Sequence, residues 1–339
     1  MKEPGATFVI AEAGVNHNGS VEQALQLVDK ALECGADAVK FQTFSADRLV
    51  TRGAETALYQ RKSGGIGESQ YDLLKKLELT ESEFRTLHAY CRERGIEFIS
   101  SPFDELSADF LDQLGMRVFK VPSGEITNRP LLEKIAGYGK PIILSTGMCW
   151  LEEVGAAMRS LEDAGATDIT LLHCVTEYPA PYAEINLSAM HTLASAFGTR
   201  IGYSDHTAGA EMSIAAVAMG AEVIEKHFTL DTRLDGPDHA SSLNPRDFRS
   251  MVEAIRHVEL ARGDGRKRPA PCELQNLKVV RKSIAVGRDI AAGEVLTRAD
   301  LALKRPGSGL SPALLEAVVG RHAARAIRCD ELLDWRDLT

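Results

Sequence analysis

The feature that most restricts the fold of this chain is a regular alternation of short apolar segments with amphipathic ones. Segments that are rich in Val, Ile and Phe and apolar on both faces are typical of parallel β-strands covered by helices. We predict eight such strands, over residues 8–14, 38–44, 97–103, 118–124, 141–147, 169–175, 200–206 and 223–229.

Helical periodicity fills most of the intervals between these strands. The clearest start signal is a capping box, in which Thr80 is followed three residues later by Glu83. We predict helices over residues 20–34, 80–94, 148–164, 188–197, 209–219 and 245–261. Eight β-then-α units in about 260 residues predict a (β/α)8 TIM barrel. An open, doubly wound sheet is the alternative, but its G-x-G-x-x-G sequence does not follow the first strand.

The alternation ends near residue 262, and a segment rich in Gly, Pro and charge follows it. We therefore predict a barrel catalytic domain over 1–262, a linker over 263–281 and a small domain over 282–339. Turn signals at 292–293 and 306–307 and a helix near 312–319 mark this last domain. Because a domain of about 57 residues is marginally stable alone, we expect it to dock on another part of the protein.

Composition excludes several classes of function. The formal net charge is −9, which disfavours nucleic acid and anionic membranes as partners. No apolar run has the length of a membrane span, and the first seven residues are too short and polar for a signal peptide. From these two observations we expect a cytoplasmic protein. The six cysteines form no C-x-x-C pair and four lie in apolar helix or strand patterns, so we expect buried, reduced thiols.

Polar side chains gather where the predicted strands end. In a barrel the active site lies at the carboxyl ends of the strands, and ionisable groups inside apolar strands are costly to bury unless they are paired or used. We expect Lys40, Lys120 and Lys226 to point toward the barrel mouth. Hydroxyl groups would surround these lysines, namely those of Ser101, Ser123, Ser145 and Ser204. Such a site suits phosphate plus carboxylate, as in phosphoenolpyruvate, although a phosphosugar would also fit.

Two histidines, His206 and His227, fall at the ends of the last two predicted strands. Neighbouring strands lie about 4.8 Å apart, so the two imidazoles could share one cation. With two protein ligands only, water and substrate would complete the coordination, which suits Mn²⁺ or Mg²⁺ as a Lewis acid better than structural zinc. A pair of hydrogen-bonded histidines without a metal is the alternative.

The motifs together resemble the N-acetylneuraminate synthase family, which includes N,N'-diacetyllegionaminate synthases. The segments that carry this resemblance are AEAGVNHNG (11–19), VKFQTF (39–44), SSPFD (100–104), KVPSGE (120–125), STGM (145–148), HCVTEYPAP (173–181), GYSDHT (202–207), EKHFTLD (225–231) and GPDH (236–239). KRPGSG (304–309) and its surroundings resemble the C-terminal antifreeze-like (SAF) domain of the family. Position 101 is Ser where many members carry Thr, and position 176 is Thr where some carry Asn.

The resemblance implies a barrel followed by a β-clip SAF domain and a phosphoenolpyruvate-dependent enzyme that forms a C–C bond. The acceptor would be an N-acylated hexosamine, either N-acetylmannosamine or 2,4-diacetamido-2,4,6-trideoxymannose. TEYPAP and GPDH favour these sugars over the acceptor of pseudaminic acid synthases. The resemblance also implies a divalent metal at His206 and His227, usually Mn²⁺, with Mg²⁺ or Co²⁺ as alternatives.

Site roles follow from the same resemblance. The residues implied to hold phosphoenolpyruvate are Lys40, Ser101, Lys120, Ser123, Ser145, Thr176 and Ser204. The residues implied to hold the sugar are Glu12, Gln42, Tyr178, Asp238 and Arg305. Glu125 would guide the water that adds to C2 of phosphoenolpyruvate, and we count Glu12 and Lys120 with it as catalytic.

The resemblance further implies a homodimer with swapped SAF domains, in which Arg305 reaches the sugar of the partner subunit. Three other functions stay open on the sequence alone. They are a Schiff-base pyruvate aldolase that uses Lys120 or Lys226, a 3-deoxy-sugar-phosphate synthase, and a sugar-binding protein without catalytic activity.

Overall fold

The computed structural model describes residues 6–55 and 69–339. The chain forms two compact units, Met1–Gly263 and Asp264–Thr339. In the described ranges, no helix is both long and apolar enough to cross a membrane.

The first unit is a barrel of eight parallel strands in the order β3-β2-β1-β8-β7-β6-β5-β4. The strands are β1 (Phe8–Gly14), β2 (Ala38–Thr43), β3 (Glu97–Pro102), β4 (Phe119–Val121), β5 (Ile142–Ser145), β6 (Ile169–Cys174), β7 (Arg200–Asp205) and β8 (Val223–His227). The ends of this order, β3 and β4, lie side by side, which confirms the predicted (β/α)8 barrel.

One predicted strand is wrong in its second half. We predicted a strand over 118–124, but β4 ends at Val121, and a 3₁₀ turn, Ser123–Glu125, follows it. Pro122 explains the early end, because proline has no N–H to donate to the ladder of a sheet. The turn places Ser123 and Glu125 beyond the strand, at the mouth of the barrel.

Helices surround the strands. They are α1 (Val21–Glu33), α2 (Ala46–Leu49), α3 (Gln70–Leu77), α4 (Glu81–Arg94), α5 (Glu105–Leu114), α6 (Arg129–Gly137), α7 (Leu151–Asp163), α8 (Ala189–Phe197), α9 (Glu211–Ala218) and α10 (Pro245–Arg262). The predicted capping box is present at the start of α4. The prediction missed α2, α3, α5 and α6, although Ser69, Asp104 and Asn128 cap the last three in the usual way.

The second unit is built on an antiparallel pair, β9 (Ser283–Val286) and β10 (Leu301–Lys304), with its own apolar core. The short helix α12 (Leu315–Val318) lies in the region predicted as helical. The segment predicted as a linker, 263–281, is not wholly irregular, because it contains the helix α11 (Leu274–Val280). The carbonyl of Lys278 in α11 accepts a hydrogen bond from the backbone N–H of Gly307 at 2.8 Å, so α11 packs within this unit.

Candidate active site

The barrel interior consists of an apolar layer with a polar layer above it. The apolar layer is made of Ile10, Ala38, Ile99, Ile143, Leu172 and Val223. Side chains of a strand alternate between its faces, so the residue two positions later also faces inward. In the same strand order, those positions hold Glu12, Lys40, Ser101, Ser145, Cys174 and Glu225. The apolar layer fills the lower barrel, and the ionisable groups therefore collect at its mouth.

A cavity of about 310 Å³ opens above the polar layer. The predicted site residues that line it are Glu12, Lys40, Gln42, Lys120, Ser123, Glu125, Ser145, Thr176, Tyr178, Ser204, His206, His227 and Asp238. Ser101 is fully buried next to them and accepts a hydrogen bond from Lys40 Nζ at 3.3 Å. The structure thus brings together every predicted site residue of the barrel except Lys226.

Two buried lysines are linked through carboxylates in the floor of the cavity. Lys40 Nζ lies 2.8 Å from Glu12 Oε2 and 3.6 Å from Glu225 Oε1. Lys120 Nζ lies 3.6 Å from the same oxygen of Glu225. Burial alone would raise the pKa of Glu225, but Lys120 and Lys40 together hold it below its usual value. Burial lowers the pKa of Lys120, which shares the carboxylate of Glu225 with Lys40. A bound anion would therefore stabilise the charged form of Lys120.

Glu225 is the central residue that the sequence analysis did not assign to the site. The signal was available, because Glu225 stands two positions before His227 on one strand and must share its face. The prediction for Lys226, between them, is wrong. Lys226 is fully buried on the opposite face, where its Nζ donates to the Thr207 carbonyl at 2.6 Å and pairs with Asp205 at 3.1 Å. It therefore does not point into the mouth.

Hydroxyl groups gather around Gly147. The Gly147 N–H donates to Ser123 Oγ at 2.8 Å. A Cβ atom at Gly147 would lie 2.3 Å from Thr176 Oγ1 and 2.9 Å from Ser123 Oγ, so only glycine fits here without displacing them. Within the described part of the chain, the buried hydroxyls of Ser145 and Thr176 have no hydrogen-bond partner. Unpaired buried hydroxyls that line one cavity with buried lysines are suited to the oxygens of a bound anion.

The two histidines meet on the other side of the floor. The ring centroids of His206 and His227 lie 5.4 Å apart, and the Tyr178 ring lies 4.2 Å from His206. Burial lowers the pKa of His206 to about 4 and that of His227 well below its usual value. Both imidazoles are therefore neutral near pH 7, as metal ligands must be.

The hydrogen bonds of these rings fit a metal site. His206 Nδ1 donates to the Val175 carbonyl at 2.6 Å, so Nε2 carries the lone pair that could bind a cation. The Ser204 hydroxyl lies 3.4 Å from this Nε2. His227 Nδ1 is buried without a hydrogen-bond partner among the described residues, and Asp238 Oδ2 is 3.8 Å away. In those same parts of the chain, no group of three or more His, Cys, Asp and Glu side chains is arranged to hold a metal. The pair thus suits a cation that water and substrate help to coordinate.

Two carboxyl groups border the cavity outside the lysine network. Asn128 Nδ2 donates to Glu125 Oε2 at 2.7 Å, and burial raises the pKa of Glu125. The pKa of Asp238 is raised to about 7, mainly by burial and to a smaller extent by the charge of Glu12. Gln42 Nε2 donates to Glu12 Oε1 at 3.1 Å. These polar groups can donate to and accept from the hydroxyls of a sugar.

One side of the cavity is apolar, and no sequence motif predicted it. We call this side the apolar wall; its members are Val15, Phe44, Leu49, Leu73, Leu74, Leu77 and Phe103. They form a hydrophobic cluster separate from the barrel core. The wall comes from loops that follow β1, β2 and β3 and from α3, so its members are far apart in sequence.

Arg305, the last predicted site residue, lies in the second unit directly after β10, where its side chain is exposed. Its role in a partner subunit stays a prediction.

Comparison with known proteins identifies both regions. Residues 27–267 match the model of the NeuB family, and residues 281–339 match that of the SAF domain. The N,N'-diacetyllegionaminic acid synthase of Campylobacter jejuni is 47% identical over 329 residues, which cover 96% of this chain and 98% of that protein. The enzyme of the same name from Legionella pneumophila is 45% identical over 335 residues, covering 98% and 94%.

A solved structure is also similar. The N-acetylneuraminic acid (sialic acid) synthetase of Leptospira borgpetersenii superimposes with a TM-score of 0.71 at 33% identity. The match covers 80% of this chain and 90% of that one.

Proposed function

The chain belongs to the NeuB family, and we propose on this basis that it condenses phosphoenolpyruvate with an N-acylated hexosamine and water. The products are a nonulosonic acid and phosphate. We propose 2,4-diacetamido-2,4,6-trideoxymannose as the acceptor, since two relatives that span nearly the whole chain are named N,N'-diacetyllegionaminic acid synthases.

The observation that carries the proposal is that two buried lysines and two unpaired buried hydroxyls line one cavity. We place the phosphate of phosphoenolpyruvate against Lys120 and the hydroxyls around Gly147, and its carboxylate against Lys40 and Ser101. The two lysines would stabilise the negative charges of the phosphate and the carboxylate throughout the reaction. Because both lysines are buried, this electrostatic interaction is stronger than it would be in water. The hydroxyl groups that we propose for phosphoenolpyruvate, including the two beside Gly147, are those of Ser123, Ser145, Thr176 and Ser204.

A divalent metal held by His206 and His227 would polarise the aldehyde of the open-chain sugar; family members depend on a metal, and we propose Mn²⁺. Glu12, Gln42, Tyr178 and Asp238 would orient that sugar through its hydroxyl and amide groups.

The bond changes then follow from the positions of the two substrates. C3 of phosphoenolpyruvate attacks the aldehyde carbon of the sugar and forms the new C–C bond, while the C=O π electrons move to the aldehyde oxygen, which takes up a proton and becomes a hydroxyl. Water adds to the cationic C2 and gives up a proton, and C–O cleavage of the tetrahedral intermediate releases phosphate. We assign that proton to Glu125, because its raised pKa lets a carboxylate act as a base nearer to neutral pH.

The test measures phosphate release from phosphoenolpyruvate with each candidate sugar, with and without EDTA, in the native enzyme and in His206→Ala. We expect release only with sugar and metal present, and little in His206→Ala despite a normal fold. Metal-independent turnover would refute this assignment of the histidines.

The lowered pKa of Lys120 also favours a second function, a Schiff-base pyruvate aldolase. Borohydride with pyruvate would trap a covalent adduct on Lys120 only in that case.

We further propose a homodimer in which the SAF unit of one subunit completes the site of its partner through Arg305. Support comes from the family resemblance and from the geometry of guanidinium, whose planar fork can donate to an amide carbonyl. Mixing Arg305→Ala with Glu125→Gln subunits should restore part of the activity, because some mixed dimers hold one site with both residues intact. Verified subunit exchange without recovered activity would exclude the arrangement.

A further inference from the structure

We infer that the apolar wall selects the acceptor sugar, by packing against methyl groups that N-acetylmannosamine lacks. This inference rests on the proposed function and adds to it the residues that discriminate between acceptors. The 2,4-diacetamido-2,4,6-trideoxy sugar carries a methyl group at C6 and a second acetamido methyl at C4, where N-acetylmannosamine carries hydroxyls.

Helix α3 directs one of its faces at the cavity. Gln70, Leu73, Leu74 and Leu77 recur at the i, i+3, i+4, i+7 spacing of a single helical face, and all four line the cavity. The face therefore presents three leucines and one amide, and the amide of Gln70 could bind an acetamido group.

A different side of α3 holds the helix in place. The Tyr71 hydroxyl donates to Asp47 Oδ1 at 2.7 Å, and Lys75 Nζ lies 3.2 Å from Asp47 Oδ2. Asp47 belongs to α2, so polar contacts outside the cavity fix the orientation of the leucines. The leucine face is thus available for a ligand, and its residues can be changed without removing these contacts.

Among residues 6–55 and 69–339, the apolar wall contains side chains that are not fully buried. Leu77 is buried, whereas Leu73, Leu74, Leu49 and Phe103 are only half-buried. Apolar surface that lines a cavity is stabilised when a ligand removes it from water. A hydroxyl placed against the same surface loses its hydrogen bonds to water without gaining one to the protein.

Polar and apolar sides of the cavity give the sugar one orientation. The carboxyl groups of Glu12 and Asp238 and the lysines lie on the polar floor, where the aldehyde and its neighbouring groups must react. The wall is then left for the distal carbons of the open chain, which include C4 and C6. Methyl groups at those carbons match the wall, and hydroxyls do not.

The experiment compares kcat/KM for the two sugars in the native enzyme and in the variants Leu73→Gln and Leu74→Gln. Leu260→Gln is the matched control, because Leu260 on α10 is 84% exposed and outside the cavity. The quantity of interest is the ratio of kcat/KM for the diacetamido sugar to that for N-acetylmannosamine. Misfolded enzyme lowers both values equally, so this ratio does not depend on the folded fraction.

We expect the ratio to favour the diacetamido sugar in the native enzyme. In each wall variant the ratio should fall about 10-fold or more, because one apolar group in an apolar pocket changes discrimination between substrates by at least that factor. The KM for phosphoenolpyruvate and the Leu260→Gln ratio should not change. Leu74→Met, which keeps an apolar side chain of similar volume, should retain most of the native ratio.

Two outcomes would overturn the inference in distinguishable ways. If both wall variants are active and keep the native ratio within twofold, the wall does not select the sugar although the proposed function stands. If the native enzyme releases no phosphate with either sugar, the proposed function fails and the inference fails with it.

Discussion

The floor and the apolar wall of the cavity are built differently. The floor stands on barrel strands, where the two-residue alternation places Lys40, Glu225 and His227 above a filled apolar layer. The wall stands on loop segments and on α3, and its residues come from regions that the register of the sheet does not fix. The floor therefore suits chemistry, which needs rigid geometry, and the wall suits substrate selection, which loops can vary without changing the barrel.

The largest expected effect is on the floor chemistry. Replacing Glu125 by Gln removes the proposed base but keeps the shape of the side chain, so we expect kcat to fall by about 10²–10⁴-fold. The KM for phosphoenolpyruvate should change little. Steady-state kinetics with both substrates check this, and an effect confined to the KM would make Glu125 a binding residue instead.

The pH profile sharpens the same test. Burial and the charge of Asp104 raise the pKa of Glu125, and Asn128 opposes them. The base works only when ionised, so activity should fall as pH drops through this raised pKa, above the usual glutamate value of about 4.3. The variant Glu125→Gln should lose this decrease in activity at low pH, the acid limb of the pH profile. An identical acid limb in the variant would assign it to another group.

The next effect is on stability of the floor. In Glu225→Gln, Lys40 and Lys120 lose the carboxylate that they share, and breaking a buried ion pair costs about 3–5 kcal/mol. We expect a fall of that size in the free energy of unfolding measured in urea. The matched control is Glu33→Gln, whose exposed pair with Lys30 should contribute nothing measurable. Equal stability of the two variants would mean that the network is not a linked unit.

The same contrast explains what could be predicted from the sequence. The barrel and its strand-end residues follow from local patterns, since alternation and apolar content are properties of neighbouring positions. The prediction for Lys226 was wrong because it followed the strand end and not the alternation, which gives the inward positions to Glu225 and His227. The wall could not be predicted, because Val15, Leu74 and Phe103 become neighbours only when separate loops meet above the barrel.

The smallest expected effect is on stability at the wall, and a matched leucine pair measures it. Leu172 belongs to the apolar layer and is fully buried, so Leu172→Ala should lower the free energy of unfolding by about 2–5 kcal/mol. Leu74 is half-buried on a helix that is also held by Tyr71 and Lys75. Leu74→Ala should therefore cost about 1 kcal/mol or less, since part of its surface already faces the cavity. Urea unfolding of both variants decides the matter. A cost at Leu74 equal to that at Leu172 would show that the wall is a structural part of the barrel core, and that its loops cannot vary independently of the floor.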